Sequence, residues 1–135
     1  MILYLSAPMT GVPRFNYHAL YLTSQELQEA GFTTINPAAM DSEEIQEAAW
    51  LSATGDPADL PGFDMATTIR DNVEHLLLCD GICLLEGWES SKGALMELAV
   101  AERLGLYVGT PEWYTKNASW LNYLNPATLT ISYPF

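Results

Sequence analysis

The chain has 135 residues, 49% of them hydrophobic and 16% charged, which is typical of one globular domain (1–135) rather than of a disordered segment. Its 5 Lys and Arg residues against 17 Asp and Glu residues give a formal net charge of -12 at pH 7. Because polymeric nucleic acid is bound mainly through Lys and Arg contacts to phosphates, this charge argues against DNA and RNA as partners. The same charge is compatible with the binding of a single mononucleotide, because helix N-termini and backbone amides can hold one phosphate.

The first apolar run, at residues 2–5, predicts a buried β-strand. Ser6 and Pro8 interrupt the run and no basic leader precedes it, so the segment does not read as a signal peptide. No segment reaches the roughly eighteen uncharged apolar residues of a membrane span. We therefore expect a soluble, cytoplasmic protein without a membrane partner.

The next segments predict a helix, a second strand and an irregular insert. The helix begins near Asn16 and ends at Gly31, a residue type common at helix C-termini. Residues 32–35 predict the second strand, which an Asn-Pro pair closes. Residues 41–63 combine an acidic helical piece with a loop rich in Gly, Pro and Asp. We interpret them as an exposed helix and a flap over a site.

The second half of the chain continues the alternation of helices and strands. The patterns predict a helix at 65–78, a strand at 81–85 and a helix ending near residue 104. They then predict a strand at 106–108, a tail helix at 113–124 and a strand-like run at 129–133. Such alternation without internal repeats predicts an α/β fold of Rossmann/flavodoxin-like type. We expect an open, mostly parallel sheet of four or five strands with helices on both faces.

The cysteines and histidines do not predict a metal site. Cys79 and Cys83 are the only cysteines, and we expect both to be buried and reduced. His18 and His75 have no companion ligands at the spacing of a metal site. Neither a metal nor another cofactor is predicted.

Ligands of open α/β sheets bind beyond the carboxyl ends of the strands, which here gives the segments 6–16, 36–40 and 86–93. The third segment leads into GWESSKGALMELAVA. Ser90 or Ser91 is a suitable N-cap of the helix that follows. Gly93 allows a close approach to the backbone, and the first-turn amides suit an anion.

Glu97 is the only polar side chain between Ala94 and Ala101, in a helix that should be packed on most sides. Its carboxylate must be partly desolvated with a raised pKa or held by partners. One interpretation is that it helps to cap the helix. The other is that it faces the crevice at the edge of the sheet as a nucleophile or general base. Its chemistry alone leaves both open.

Four motifs together resemble the nucleoside 2-deoxyribosyltransferase-like superfamily, including its short bacterial and phage members and the deoxynucleoside 5'-monophosphate N-glycosidases. The motifs are YLSAPMTG at 4–11, RDN at 70–72, CDGICLL at 79–85 and SSKGALME at 90–97. The resemblance covers roughly residues 1–110 in order and spacing.

The resemblance implies catalytic roles for three residues. Glu97 matches the glutamate that attacks C1' of the deoxyribose and expels the base, with the logic of a retaining glycosidase. Asp71 matches an aspartate that contacts the sugar or base and handles a proton or water. Tyr4 matches a tyrosine that orients the nucleophile. Without the resemblance, Tyr4 would be a core strand residue and Asp71 a surface carboxylate paired with Arg70 or Lys92.

The resemblance also implies substrate-binding residues. Ser91 and Gly93 match the cradle for the 5' end of the nucleotide, together with the backbone after the first strand and the asparagine beyond it: Ser6, Pro8, Met9, Gly11 and Asn16. Trp88 either stacks on the base or packs in the protein.

Two departures from the family pattern bear on the substrate and the assembly. The loop after the first strand lacks the arginine of the monophosphate glycosidases. Either Arg14 or Lys92 supplies the charge, or the substrate is a nucleoside or another N-riboside. The tail cannot be aligned with the C-terminal site residues of the transferases, which favours water as acceptor. Family members form homodimers or larger homo-oligomers, and the tail aromatics are either an interface here or a cover of the sheet: Trp113, Tyr114, Trp120 and Tyr123.

These observations predict an enzyme that cleaves the N-glycosidic bond of a small nucleotide or nucleoside. We expect hydrolysis of a deoxynucleoside 5'-monophosphate, with a modified base included. The alternatives are base exchange by a deoxyribosyltransferase, hydrolysis of a ribonucleotide, and a non-catalytic nucleotide-binding module.

Overall fold

The computed structural model describes residues 1–124 as an α/β fold around a four-stranded, all-parallel open sheet. The strands are β1 Ile2–Ser6, β2 Thr33–Ile35, β3 Gly81–Leu84 and β4 Tyr107–Gly109, in the spatial order β2-β1-β3-β4. The Rossmann/flavodoxin-like fold predicted from the alternating pattern is thereby confirmed. The strand-like run at 129–133 lies outside the described residues.

Seven α-helices connect or flank the strands within residues 1–124. They are α1 Tyr17–Glu29, α2 Pro37–Met40, α3 Glu43–Leu51, α4 Met65–Leu76, α5 Lys92–Arg103, α6 Pro111–Lys116 and α7 Ala118–Tyr123. The single tail helix expected at 113–124 is wrong, because two short helices meet at Asn117. The Asn117 side-chain amide donates to the carbonyl of Trp113, which competes with regular helix continuation. None of the helices in this part of the chain is long and apolar enough to cross a membrane.

The sheet has two distinct buried faces because successive side chains of β1 point in opposite directions. Leu3 and Leu5 belong to a core cluster that α1 and α6 cover. Tyr4 belongs to the opposite cluster, in which Leu76 of α4 and Ala101 of α5 pack. Helices therefore lie on both faces, as the continuous apolar strands predicted.

The strand order creates a topological switch point between β1 and β3. β1 pairs in parallel with β2 on one side and with β3 on the other. The chain leaves β1 toward α1 on one face of the sheet and leaves β3 toward α5 on the opposite face. The two connections diverge at the carboxyl edge, which is where open α/β sheets bind ligands.

The tail covers the sheet through Tyr114, which is fully buried. Its hydroxyl donates to the carbonyls of Ile82 and Tyr107, at 2.9 and 3.1 Å. Tyr114 is therefore a core residue that covers the sheet, which is the second of the two alternatives for the tail aromatics. Trp120 and Tyr123 remain exposed at 44% and 68%.

The insert at 41–63 is anchored to the loop after β1. The amide of Gly11 donates to the carbonyl of Gly55 at 2.9 Å, and the amide of Arg14 donates to the carbonyl of Ser52 at 2.8 Å. α3 is largely exposed, as expected, but the loop that follows it buries Ser52, Gly55 and Leu60. The insert thus fixes the position of the loop after β1.

Both cysteines are buried free thiols, as the sequence predicted. Burial raises the pKa of the Cys79 thiol to about 12, with a smaller contribution from the charge of Asp80. Burial also raises the pKa of the Cys83 thiol. Thiols in this state are protonated at neutral pH and behave as small apolar side chains.

Candidate functional site

The centre of the candidate site is the carboxylate of Glu97, which is 7% exposed. The hydroxyl of Tyr4 donates to Glu97 Oε2 at 2.6 Å, and the hydroxyl of Ser6 donates to Glu97 Oε1 at 2.7 Å. Each carboxylate oxygen therefore has its own hydroxyl donor, and both donors are fully buried. We call these three residues the carboxylate cluster.

The local geometry of β1 and α5 explains why these three side chains meet. Tyr4 and Ser6 are two residues apart in a strand, so both point to the same face of the sheet. α5 crosses that face and presents Glu97 in its second turn, among apolar neighbours. The resemblance implies a place for Ser6 in the substrate cradle, whereas the structure pairs its hydroxyl with Glu97. The sequence signal for this contact is the position of Ser6 two residues after Tyr4.

Two opposing effects set the protonation of Glu97. Burial raises the pKa of its carboxyl above the ordinary value, and the hydrogen bonds from Tyr4 and Ser6 counteract the rise without cancelling it. Burial, followed by the nearby charge of Glu97, raises the pKa of the Tyr4 hydroxyl well above its ordinary value. Tyr4 therefore stays protonated and acts as a hydrogen-bond donor to the carboxylate.

The N-terminus of α5 is capped by Ser91 and not by Glu97. The Ser91 hydroxyl accepts a hydrogen bond from the amide of Ala94 at 3.2 Å. Since the oxygens of Glu97 are held by the two β1 hydroxyls, the interpretation of Glu97 as a capping residue is wrong. Gly93 lies in the first turn of α5, and a Cβ there would meet only the hydroxyl oxygen of Ser91, at 4.0 Å. The first turn of α5 thus remains approachable for a ligand.

α5 is less enclosed than its apolar sequence suggested. Leu95 is 43% exposed and Ala99 is also exposed, so one side of the helix faces solvent. The expectation that α5 is packed on most sides holds for the side that carries Glu97 and is wrong for the side of Leu95. The buried carboxylate consequently lies within one turn of an exposed apolar surface.

The connection from β1 to α1 contains a left-handed turn of three non-glycine residues. Arg14, Phe15 and Asn16 have φ values of 54°, 53° and 60°. Each such residue costs on the order of 1 kcal/mol, so the surrounding structure must hold the turn in place. Phe15 does so through burial, at 3% exposure, and the insert does so through the bond between Ser52 and Arg14.

A crevice of about 820 Å³ opens at the switch point, within the usual size range of small-molecule sites. Three predicted binding residues line it, namely Pro8, Asn16 and Trp88. Trp88 also packs against the core cluster that contains Tyr4, as one of its two interpretations predicted, and its stacking on a base stays a prediction. Four carboxylates line the crevice as well: Glu26, Glu86, Glu89 and Glu112. Neither Arg14 nor Lys92 lines the crevice.

The other predicted site residues lie outside the carboxylate cluster. Asp71 is exposed on α4, and its carboxylate takes part in none of the hydrogen bonds found within residues 1–124. Met9 is half-buried and packs against the core cluster on the α1 face. Gly11 has φ 83° and donates its amide to Gly55. The structure thus joins Tyr4, Ser6 and Glu97 directly, whereas Asp71 makes no direct contact with them through a hydrogen bond.

Comparison with known sequences places most of the chain in one family. The profile of DUF4406, described as a domain of unknown function, matches residues 1–110. The chain belongs to the DUF4406 family. No curated protein and no solved structure matches the chain significantly.

The DUF4406 match covers the complete sheet, since β4 ends at Gly109. It also includes every residue of the carboxylate cluster and the loops on both sides of the switch point. α6 and α7 follow the matched region. The carboxylate cluster of this DUF4406 protein therefore lies entirely within the matched region, whereas Pro111 and Glu112 of the crevice follow it.

Proposed function

We propose that this DUF4406 protein cleaves the N-glycosidic bond of a small nucleotide or nucleoside, most readily by hydrolysis of a deoxynucleoside 5'-monophosphate. The observation that carries the proposal is the buried Glu97 carboxylate with one hydroxyl donor on each oxygen. A carboxylate so placed beside the switch point is suited to attack a sugar carbon. The resemblance to the nucleoside 2-deoxyribosyltransferase-like superfamily, through the motifs around Tyr4, Asp71 and Glu97, supports the same chemistry.

The proposed reaction has two steps. An oxygen of Glu97 forms a bond to C1' while the bond from C1' to the base nitrogen breaks, and the base leaves with the electron pair and takes up a proton. Water then attacks C1', releases the sugar and regenerates the carboxylate. Tyr4 and Ser6 hold the carboxylate in place, and Asp71 is the proposed proton donor or substrate anchor. Asp71 is exposed on α4 without a hydrogen bond to the carboxylate cluster, so its proposed role is supported by the resemblance alone.

The first turn of α5 is the proposed site of the 5' phosphate. Its approachable backbone at Gly93, the cap residue Ser91 and the exposed Lys92 suit an anion there. The crevice itself carries four glutamates and no lysine or arginine, so a phosphate is unfavourable inside it. Because no residue of the carboxylate cluster lines the crevice, we place the sugar against Glu97 and only the base toward the crevice.

The test is base release from a panel of deoxy- and ribonucleoside monophosphates and free nucleosides, with 5-modified pyrimidines included, followed by chromatography. Glu97→Gln is compared with Glu102→Gln, which changes an exposed glutamate of the same helix. We expect release by the wild-type protein and by Glu102→Gln, and none by Glu97→Gln. Equal release by Glu97→Gln would remove Glu97 from the mechanism.

Two further arms separate the alternatives. Adding a second free base distinguishes a deoxyribosyltransferase, which forms a new nucleoside, from a hydrolase. If no substrate releases base but nucleotides still bind, the protein is a binding module instead of an enzyme. The exposed carboxylate of Asp71, without a hydrogen bond to the carboxylate cluster, is the observation that keeps the binding module as the second candidate.

A further inference from the structure

A second cleft, of about 530 Å³, lies between α1 and the carboxyl end of β2. We call it the edge cleft. The polar residues that line it are His18, Tyr21, Ser24, Gln25 and Gln28 of α1, with Thr34 and Asn36 at the end of β2. It shares no lining residue with the switch-point crevice or with the carboxylate cluster.

Asn36 lines the edge cleft and carries an unused hydrogen-bond donor. The residue is 4% exposed, and its Oδ1 accepts from the amide of Ala38 at 3.0 Å, which caps α2. Its Nδ2 is buried and has no acceptor within residues 1–124. Native structures leave few such groups unpaired, because a buried donor without an acceptor costs roughly 1–3 kcal/mol. The Asn36 amide therefore lacks an acceptor among the residues that the structure describes.

The neighbouring polar side chains of the cleft form hydrogen bonds with one another, and two of their acceptor oxygens remain available. Ser24 and Thr34 share a hydrogen bond of 2.7 Å between their hydroxyl oxygens. Gln28 Nε2 donates to both hydroxyls, at 3.1 and 3.0 Å, which leaves Gln28 Oε1 available. Gln25 Nε2 contacts Glu29 at 3.3 Å, which likewise leaves Gln25 Oε1 available. The cleft thus offers one buried donor and two amide oxygens.

We propose that the edge cleft binds a small, uncharged planar heterocycle that carries adjacent carbonyl and N–H groups, as a nucleobase does. No Lys, Arg, Asp or Glu lines the cleft, so nothing in its lining favours a charged ligand apart from His18. The ligand carbonyl accepts from Asn36 Nδ2, and its N–H donates to Gln28 Oε1. The half-exposed ring of Tyr21 provides an apolar wall for the plane of the ligand.

Binding requires a small rearrangement at the mouth of the cleft. Asn36 Nδ2 is closed off from solvent in the empty cleft, so a wall side chain must rotate before a carbonyl reaches it. Gln25 and Gln28 are exposed on α1 and are held only by side-chain hydrogen bonds, so both can change rotamer at little cost. Signals from these two glutamines should therefore change together with that of Asn36.

The experiment is a titration with uracil, followed through the side-chain amide signals of Asn36, Gln25 and Gln28 by two-dimensional NMR. It is done in the Glu97→Gln background, so that neither turnover nor a failure of the proposed glycosidase activity affects the result. We expect all three signals to shift. 1,3-Dimethyluracil, which keeps the carbonyls but has no N–H donor, should bind several-fold more weakly, and uridine tests whether an attached sugar still fits.

Two variants test the assigned contacts. Asn36→Asp keeps the acceptor that caps α2 and removes the Nδ2 donor, and we expect about fivefold weaker uracil binding. Gln28→Leu removes the acceptor without introducing a buried charge and should weaken binding similarly, whereas Asn72→Asp, on α4, should not. Unshifted Asn36 and Gln28 signals in excess uracil, or equal binding by Gln28→Leu and the parent protein, would overturn the proposal.

Discussion

At the level of single residues, the Glu97 carboxylate is subject to two opposing effects. Burial favours its protonated form, while the hydroxyls of Tyr4 and Ser6 favour the ionised form that a nucleophile needs. The net direction is a raised pKa, so burial has the larger effect. The residue therefore costs stability at neutral pH, which is the pattern expected of a group retained for chemistry.

The first prediction concerns stability as a function of pH. A carboxyl whose pKa is raised on folding stabilises the fold below its unfolded pKa, and that contribution is lost as the pH rises through the folded pKa. Glu97→Gln stays neutral at every pH, and its amide can bond to both hydroxyls. We expect its free energy of unfolding to exceed that of the wild type at pH 7.

Urea unfolding of both proteins between pH 4 and pH 8 measures this difference. The gain should shrink toward acidic pH, where the wild-type carboxyl is also neutral. A variant that is less stable than the wild type at pH 7 would mean that the two hydrogen bonds outweigh desolvation.

The second prediction concerns Tyr4, which we assign as a positioning residue. Tyr4→Phe removes a hydrogen bond that favours the ionised form of Glu97, so the pKa of Glu97 should rise further. Because activity requires the ionised form, the acidic limb of the pH–rate profile should move to higher pH. We also expect kcat at the optimum to fall by roughly tenfold.

The control is Tyr123→Phe, which changes an exposed tyrosine of α7. Its pH profile should match that of the wild type. If Tyr4→Phe lowers kcat but leaves the acidic limb in place, Tyr4 acts on the fold or the substrate and not on Glu97.

At the level of elements, the insert and the loop after β1 depend on each other. The left-handed turn at residues 14–16 is costly by itself, and backbone bonds from Gly11 and Arg14 to the insert hold it. Gly55 is the point of closest approach. A Cβ there would lie 2.2 Å from the carbonyl oxygen of Val12, and its φ of +73° already disfavours other residues.

The third prediction compares two glycines of the insert. Gly55→Ala should lower the free energy of unfolding by about 3 kcal/mol, since it combines a backbone clash with an unfavourable φ. Gly62→Ala is the matched control, because Gly62 has φ +68° but no atom within 4 Å of the added Cβ. It should cost only about 1 kcal/mol. Thermal or urea unfolding measures both, and equal losses would show that the contact with Val12 does not hold the insert in place.

At the level of the whole molecule, the net charge of -12 is the dominant electrostatic feature. Mutual repulsion among carboxylates opposes a compact state, and dissolved salt screens it over a distance that falls from about 30 Å at 0.01 M to about 8 Å at 0.15 M. We predict that Tm rises between these two ionic strengths. Calorimetry at pH 7.5 measures the change.

Two glutamates provide the control for the salt effect. Glu74 and Glu102 are exposed in the last turns of α4 and α5, where a negative charge also opposes the helix dipole. The double variant Glu74→Gln and Glu102→Gln should have a higher Tm at low salt and a weaker dependence on salt. An unchanged dependence would locate the repulsion elsewhere on the surface.

Assembly into a homodimer or larger homo-oligomer stays a prediction. Tyr114 cannot contribute to an interface, because it is buried within its own chain. Exposed apolar side chains that remain for a second copy include Leu95 beside the carboxylate cluster and Trp120 in the tail. Light scattering on the purified protein gives the number of copies directly.

The sequence alone determined the fold class, most element boundaries and the importance of Glu97. These depend on local signals: apolar runs predict strands, Gly31 and Gly105 end helices with φ values of 98° and 71°, and Ser91 caps α5. A single carboxylate in an otherwise apolar helix can likewise be recognised from the sequence. The resemblance also pointed to Tyr4 as the residue that orients Glu97, but only the structure shows the hydrogen bond between the two side chains.

The tertiary structure alone decided what surrounds those residues. The contacts of Glu97 join residues 93 and 91 positions apart, which no local pattern encodes. The exposure of Asp71, the burial of Tyr114 and the unpaired amide of Asn36 likewise depend on how α4, α6 and α1 pack on the sheet. Helices and strands follow from periodicity and capping between near neighbours, whereas burial and pKa follow from long-range packing that only the folded chain provides.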